Sequence, residues 1–178
     1  GAGVGGLLEL VGVGQQPAEV HAHLLAAPGH QEARAQRLPD DVERLAQGGA
    51  GGLLAGLSVL CVDDDAPNLE ALRTLLTQWG VGRVECLPDA ASALDCAERE
   101  ATPDLLVLDY QLGGGMDGLG LARGLRERWP GAAVLLVSAA PDPDLPLRAK
   151  AEGVMFLAKP VRAGALKAVL NSVRVGKG

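Results

Sequence analysis

Apolar residues fall in short unbroken runs through the second two thirds of the chain, and each run stops at a polar or charged residue. Residues 57–62 (LSVLCV) stop at Asp63, Asp64 and Asp65, and 104–108 (DLLVL) stop at Asp109. Residues 132–137 (AAVLLV) stop at Ser138, and 154–158 (VMFLA) stop at Lys159 and Pro160. A short continuous apolar run predicts a strand covered on both faces. Residues 83–87 (RVECL) alternate instead, which predicts one more short strand.

Between the runs the spacing becomes helical. After Pro67, residues Leu69, Leu72, Leu75 and Leu76 share one face, and Gly80 lies past the end. Over 90–100 the inward positions are Ala93, Leu94 and Ala97. Gly113, Gly114 and Gly115 form a loop into a helix at 117–128. Pro143 and Pro146 interrupt a helical stretch at 142–152 and predict an irregular first turn. A last helix covers 163–173. Five strands alternating with five helices predict an α/β fold, a doubly wound parallel sheet with helices on both faces. Ligands of such sheets bind beyond the carboxyl ends of the strands. The residues at those ends are Asp63, Asp64, Asp109, Ser138 and Lys159.

Three carboxylates brought together repel unless a cation sits among them. Oxygen donors with no His or Cys beside them suit Mg²⁺. A lysine and a hydroxyl facing the same spot suit an anion such as a phosphoryl group. No histidine occurs after residue 56, so no Ser-His or Cys-His nucleophile is available there. A carboxylate can itself accept phosphate as an aspartyl phosphate.

The segments 59–65 (VLCVDDD), 106–110 (LVLDY), 136–139 (LVSA) and 157–160 (LAKP), in this order and each at a strand end, resemble a response-regulator receiver domain of two-component signalling. The resemblance covers about 57–175 and is similar to the C-terminal receivers of bacterial hybrid sensor histidine kinases. It implies a flavodoxin-like receiver fold with five strands in the order 2-1-3-4-5. It implies Asp109 as phosphoacceptor and Asp63 and Asp64 as the acidic pair holding Mg²⁺, Asp64 directly and Asp63 through water. Asp109 and the backbone carbonyl of Gln111 would complete the metal set. Ser138 would be the switch hydroxyl and Lys159 the phosphate-binding lysine, with a cis bond to Pro160. Phe156 would be the switch aromatic; it reads equally as a core aromatic.

The implied function is a phosphorelay module that takes a phosphoryl group from a phosphohistidine and slowly hydrolyses it again. The implied partner is a histidine kinase or a histidine phosphotransfer domain. The face formed by 142–173 would carry the response. With only Gly176, Lys177 and Gly178 after the last helix, that face is expected to serve a homodimer or a partner rather than an attached output domain. Gly118 stands nine residues after Asp109, one more than the family commonly has, and glycines replace its proline, so the loop is longer and softer.

Two other classes are weaker. A scaffold that is never phosphorylated would not need Asp63, Asp64, Asp109 and Lys159 together. An Mg²⁺-dependent phosphatase with an Asp nucleophile usually has a second Asp two residues on, and Gln111 stands there.

Composition narrows the rest. A net charge of −6 and a pI of about 5.0 leave no basic stripe for direct nucleic-acid binding. The apolar runs are too short to span a bilayer. Three cysteines without metal-ligand spacing point to a reducing cytoplasm and read as small buried apolar groups. Residues 1–56 are rich in Gly and Ala, lack aromatics and contain His21, His23 and His30 without a supporting ligand cluster. They are expected to be a poorly structured linker, a disordered tail, or sequence upstream of the native start, with 48–56 as the flexible join. Trp79 and Trp129 read as packing at helix ends, and Asp65 and Asn68 as cap and surface.

Overall fold

The computed structural model describes residues 52–140 and 142–178. The readings of residues 1–51, including the three histidines, lie outside the described residues. The elements in chain order are β1 (Ser58–Val62), α1 (Ala66–Gln78), β2 (Arg83–Leu87), α2 (Ala90–Arg99) and β3 (Leu105–Asp109), followed by α3 (Gly118–Arg128), β4 (Ala133–Ser138), α4 (Leu145–Ala151), β5 (Met155–Ala158) and α5 (Ala163–Lys177). The strands form one parallel sheet in the order β2-β1-β3-β4-β5. This is the doubly wound α/β fold expected from the alternating patterns.

The continuous apolar runs supply both faces because successive side chains of a strand point to opposite sides. Leu60, Val62, Leu106, Leu108, Val134 and Leu136 pack with residues of α2, α3 and α4. Val59, Cys61, Leu105, Val107, Leu135 and Val137 pack with residues of α1 and α5. Burying a leucine side chain is worth about 1.5–3 kcal/mol, so the two leucine-rich layers hold the central strands firmly. That rigidity matters because the polar residues of interest sit at the strand tips.

Three helices start on an aspartate that accepts a backbone N–H of the first turn. Asp65 accepts from Asn68 at 3.3 Å, Asp89 from Ser92 at 2.7 Å and Asp117 from Gly120 at 2.7 Å. Such caps are typically worth about 1 kcal/mol each. α4 lacks a side-chain cap bond and begins only at Leu145, inside the predicted 142–152. Pro143 precedes it and Pro146 occupies its first turn, and both lack the N–H that a longer helix would need.

Two further boundaries move. Residues 52–56, the described part of the expected join, form a turn closed where Leu57 N donates to Leu54 O at 3.0 Å. Leu54 is buried in the core on the α1 and α5 side, so packing begins before Leu57. α5 runs on to Lys177, where its ammonium reaches Asp104 and the Gly56 carbonyl. Trp129 is buried and donates to the Glu100 carbonyl, and half-buried Trp79 lies under the Lys167 ammonium. Among the described residues, no helix is long and apolar enough to cross a membrane.

Candidate functional site

The register of the sheet builds the site. Val62 pairs with Leu108, so Asp63 and Asp109, the next residue of each chain segment, emerge side by side. Asp109 pairs with Val137, which places Ser138 at the adjacent tip. Ser138 pairs with Ala158, so Lys159 emerges next to it. The residues read from the ends of four apolar runs are thus brought to one edge of the sheet.

Carboxylate oxygens of Asp63, Asp64 and Asp109 lie within 4.8 Å of one another. Asp63 and Asp109 are buried and Asp64 is exposed. The Lys159 ammonium, its side chain only 5% exposed, lies 3.2 Å from Asp63 Oδ2 and 3.2 Å from Asp109 Oδ1. Asp63 Oδ1 accepts the Asp65 N–H at 2.9 Å, which folds the chain back at the strand tip.

Asn68 corrects the sequence reading. It is buried at 2% exposure, not a surface residue, and its Nδ2 donates to Asp63 Oδ2 at 3.3 Å. In the docked helix Asn68 stands one turn ahead of Leu72 on the buried stripe of α1 that also holds Leu75 and Leu76. A polar residue on a buried stripe needs a polar partner.

Ser138 is buried, and its Oγ accepts the Ala140 N–H at 2.9 Å, leaving its own O–H as a donor. Gln111 is exposed, and its backbone N–H hydrogen-bonds the Asp109 carboxylate. Phe156 is half-buried on the edge strand β5 and packs against the core on the α3 side. The bond from Lys159 to Pro160 is cis.

The loop after β3 turns on glycine. Gly114 and Gly115 have φ of +83° and +89°, a region that residues with a Cβ rarely adopt. The loop closes where Gly118 N donates to Tyr110 O at 2.9 Å. A Cβ on Gly118 would stand 2.4 Å from the Asp109 carbonyl oxygen and 2.7 Å from Leu136 Cδ1, so only glycine lets α3 start against the tip of β3.

Burial pushes the Asp109 carboxyl above its ordinary range, and the neighbouring Asp63 charge adds to this, while Lys159 and the Gln111 N–H oppose it. Three carboxylates against one ammonium leave two surplus negative charges (3 minus 1) in a partly water-excluded pit. That surplus is the charge of a divalent cation. The donors are all hard oxygens, with Asp64 open to solvent, so the acidic cluster is capable of holding such an ion.

Residues 59–171 match the response regulator receiver domain, and the chain belongs to this family. It is 36% identical over 121 residues to the C4-dicarboxylate transport transcriptional regulatory protein DctD of Pseudomonas aeruginosa. That match covers 67% of this chain, which spans only 25% of the relative's length. Among solved structures, it resembles a response regulator receiver domain protein from Clostridium thermocellum, with a TM-score of 0.63 and 24% identity over 68% of this chain and 96% of that one. It also resembles a BeF3-activated DrrB receiver domain, with a TM-score of 0.58 and 25% identity over 66% of this chain and 96% of that one. The fold is that of a CheY-like receiver, and the cluster of Asp63, Asp64 and Asp109 stands as the phosphoacceptor site of two-component signalling domains.

Proposed function

We propose that Asp109 is the residue phosphorylated, and that the donor is a phosphohistidine on a histidine kinase or a histidine phosphotransfer domain. The observation that supports this most is the placing of a buried Asp109 carboxylate 3.2 Å from the Lys159 ammonium and beside two further acids. An Asp109 oxygen forms the new bond to phosphorus, and the bond from phosphorus to the imidazole nitrogen breaks; with a proton on the other ring nitrogen of the phosphohistidine, the histidine leaves neutral. Water later attacks the same phosphorus and restores the carboxylate.

Asp63, Asp64 and Asp109, with the Gln111 backbone carbonyl, would hold Mg²⁺, which when bound neutralises phosphoryl oxygens and the acids around them. Lys159 already contacts both buried acids, and a small movement lets it pair with a phosphoryl oxygen instead. Ser138 turns its O–H toward another phosphoryl oxygen. This draws in the loop after β4 and frees space beside β5 for Phe156 to turn inward. The surface of α4, β5 and α5 then carries the signal. Its exposed Leu147 and Val175 and half-buried Phe156 support its use by a second copy or by a partner protein. The cytoplasm is the compartment where such kinases donate phosphate.

The test is incubation with a small-molecule phosphodonor and Mg²⁺. One phosphate per chain is expected, and none in Asp109→Asn. Equal labelling of the variant would remove Asp109 from its role. A beryllofluoride phosphate mimic should shift amide signals at Ser138, Phe156 and α5, and Ser138→Ala should uncouple that shift from binding. If those signals stay still while the mimic binds, the domain passes phosphate on without switching.

A further inference from the structure

Cys61 and Cys86 lie directly opposite each other in the parallel pair of β1 and β2. Both side chains belong to the same layer, the core shared with α1 and α5. The Cys86 thiol donates to the Leu69 carbonyl oxygen in α1 at 3.7 Å, and the two thiols stand close enough to shift each other's ionisation. Cys61 is fully buried, whereas Cys86 is half-exposed on a strand that borders the sheet. Cys96, the third cysteine, packs in the opposite layer, where its thiol faces Glu85 at 3.7 Å. It cannot reach the other two through the sheet.

We propose that Cys61 and Cys86 form a peroxide-sensitive thiol pair that closes reversibly into a disulfide across β1 and β2. Neighbouring strands lie about 4.8 Å apart, inside the roughly 4.4–6.8 Å between Cα atoms that a disulfide spans. The Cβ atoms must approach to about 3.5–4.5 Å. β2 can supply that small shift because it is paired on one side only. A disulfide that requires such a shift is strained and therefore easily reduced, as a reversible bond must be.

The order of events follows from exposure. The Cys86 sulfur attacks one oxygen of the peroxide and breaks the O–O bond, giving a Cys86 sulfenic acid and one water. The Cys61 sulfur then attacks the sulfenic sulfur and displaces hydroxide, which leaves as a second water with the Cys61 proton. The two thiols together lose two electrons and two protons, and one hydrogen peroxide becomes two waters. The neighbouring Cys61 thiol, with Arg73 nearby, holds the Cys86 thiol below its ordinary range, which favours Cys86 as the first to react. Closure ties the edge strand to β1 two residues ahead of Asp63, next to the Asp63 N–H bond to Leu87 O.

The experiment treats the full chain with hydrogen peroxide and follows free thiols, intact mass and proteolytic peptides. Two of the three thiols should be lost, with a mass lower by two hydrogens. A peptide linking Cys61 to Cys86 should appear, and dithiothreitol should restore all three thiols. Cys86→Ser should abolish the link and leave Cys96 titratable, and Cys61→Ala should leave Cys86 trapped as the sulfenic acid or its oxygenated products. The proposal is overturned if folded wild-type protein gains oxygen at Cys86 without linkage. It is equally overturned if the link formed joins two chains or involves Cys96.

Discussion

The Lys159 ammonium lies the same 3.2 Å from Asp109 Oδ1 and from Asp63 Oδ2, and it is the cation that offsets two buried carboxylates. Removing one partner of a buried ion pair leaves an uncompensated charge and costs about 3–5 kcal/mol. Lys159→Met, which keeps most of the side-chain volume, is expected to lower stability by about 3 kcal/mol in metal-free urea denaturation. It should leave Mg²⁺ binding largely intact but impair the response to phosphorylation. An unchanged denaturation midpoint would show that the pair does not hold the strand tips together.

Asp109 behaves in the opposite sense. Its carboxyl is held above its ordinary range by burial, so its ionised form is worse accommodated in the folded than in the unfolded chain. Its favourable contribution is complete below the unfolded value, about 3.9, and is lost as pH rises through the folded value. Asp109→Asn should therefore be more stable than the wild type near neutral pH without metal. The gap should close as pH falls below about 4. Thermal melts across that range check this, and a gap that widens toward acid would reverse the sign.

Asn68→Ala removes the amide that donates to Asp63 Oδ2. A hydrogen bond to a charged group contributes about 1.5–3 kcal/mol, and groups that orient a metal ligand commonly alter metal affinity about 10-fold or more. The variant should lose roughly 1.5–3 kcal/mol of stability. Its Mg²⁺ affinity by titration calorimetry should fall about 10-fold. Wild-type affinity would mean that Asp63 needs no support from α1.

Much of the candidate site was legible because each of its groups stands at the end of an apolar run, and a doubly covered parallel sheet leaves such groups only one place to converge. Asp63, Asp109, Ser138 and Lys159 were readable for that reason. Asn68 was not, because one polar residue in the first turn of a helix looks the same as a cap neighbour until the helix is docked. Leu54 was missed because its glycine-rich surroundings have the composition of a join, while its burial depends on a turn fitted against β2. The end of α5 was also missed, since Gly176 reads as a stop signal, whereas Lys177 is drawn to an acid from a distant part of the chain.

That acid, Asp104, ties the far end of the sheet together. Its Oδ2 accepts the Ser58 N–H at 2.8 Å and the Lys177 ammonium at 3.0 Å. Burial alone would push its carboxyl up, but Lys177 and the Ser58 N–H together hold it below the ordinary range. A depressed folded value contributes stability above the unfolded value, about 3.9, and that contribution is lost as pH falls through the folded one. Asp104→Asn should cost about 1–2 kcal/mol near neutral pH. The difference should fade in acid, as urea denaturation at neutral and acid pH would register.

The most direct measurement is reductive trapping of the phosphorylated protein. Borohydride converts an aspartyl phosphate to homoserine, and peptide mass spectrometry then locates it. After treatment with a phosphodonor and Mg²⁺, homoserine is predicted at position 109 and at no other acid of the cluster, and it should be absent when Mg²⁺ is chelated. Trapping at Asp63 or Asp64, or no trapping in protein that demonstrably binds Mg²⁺, would contradict the account.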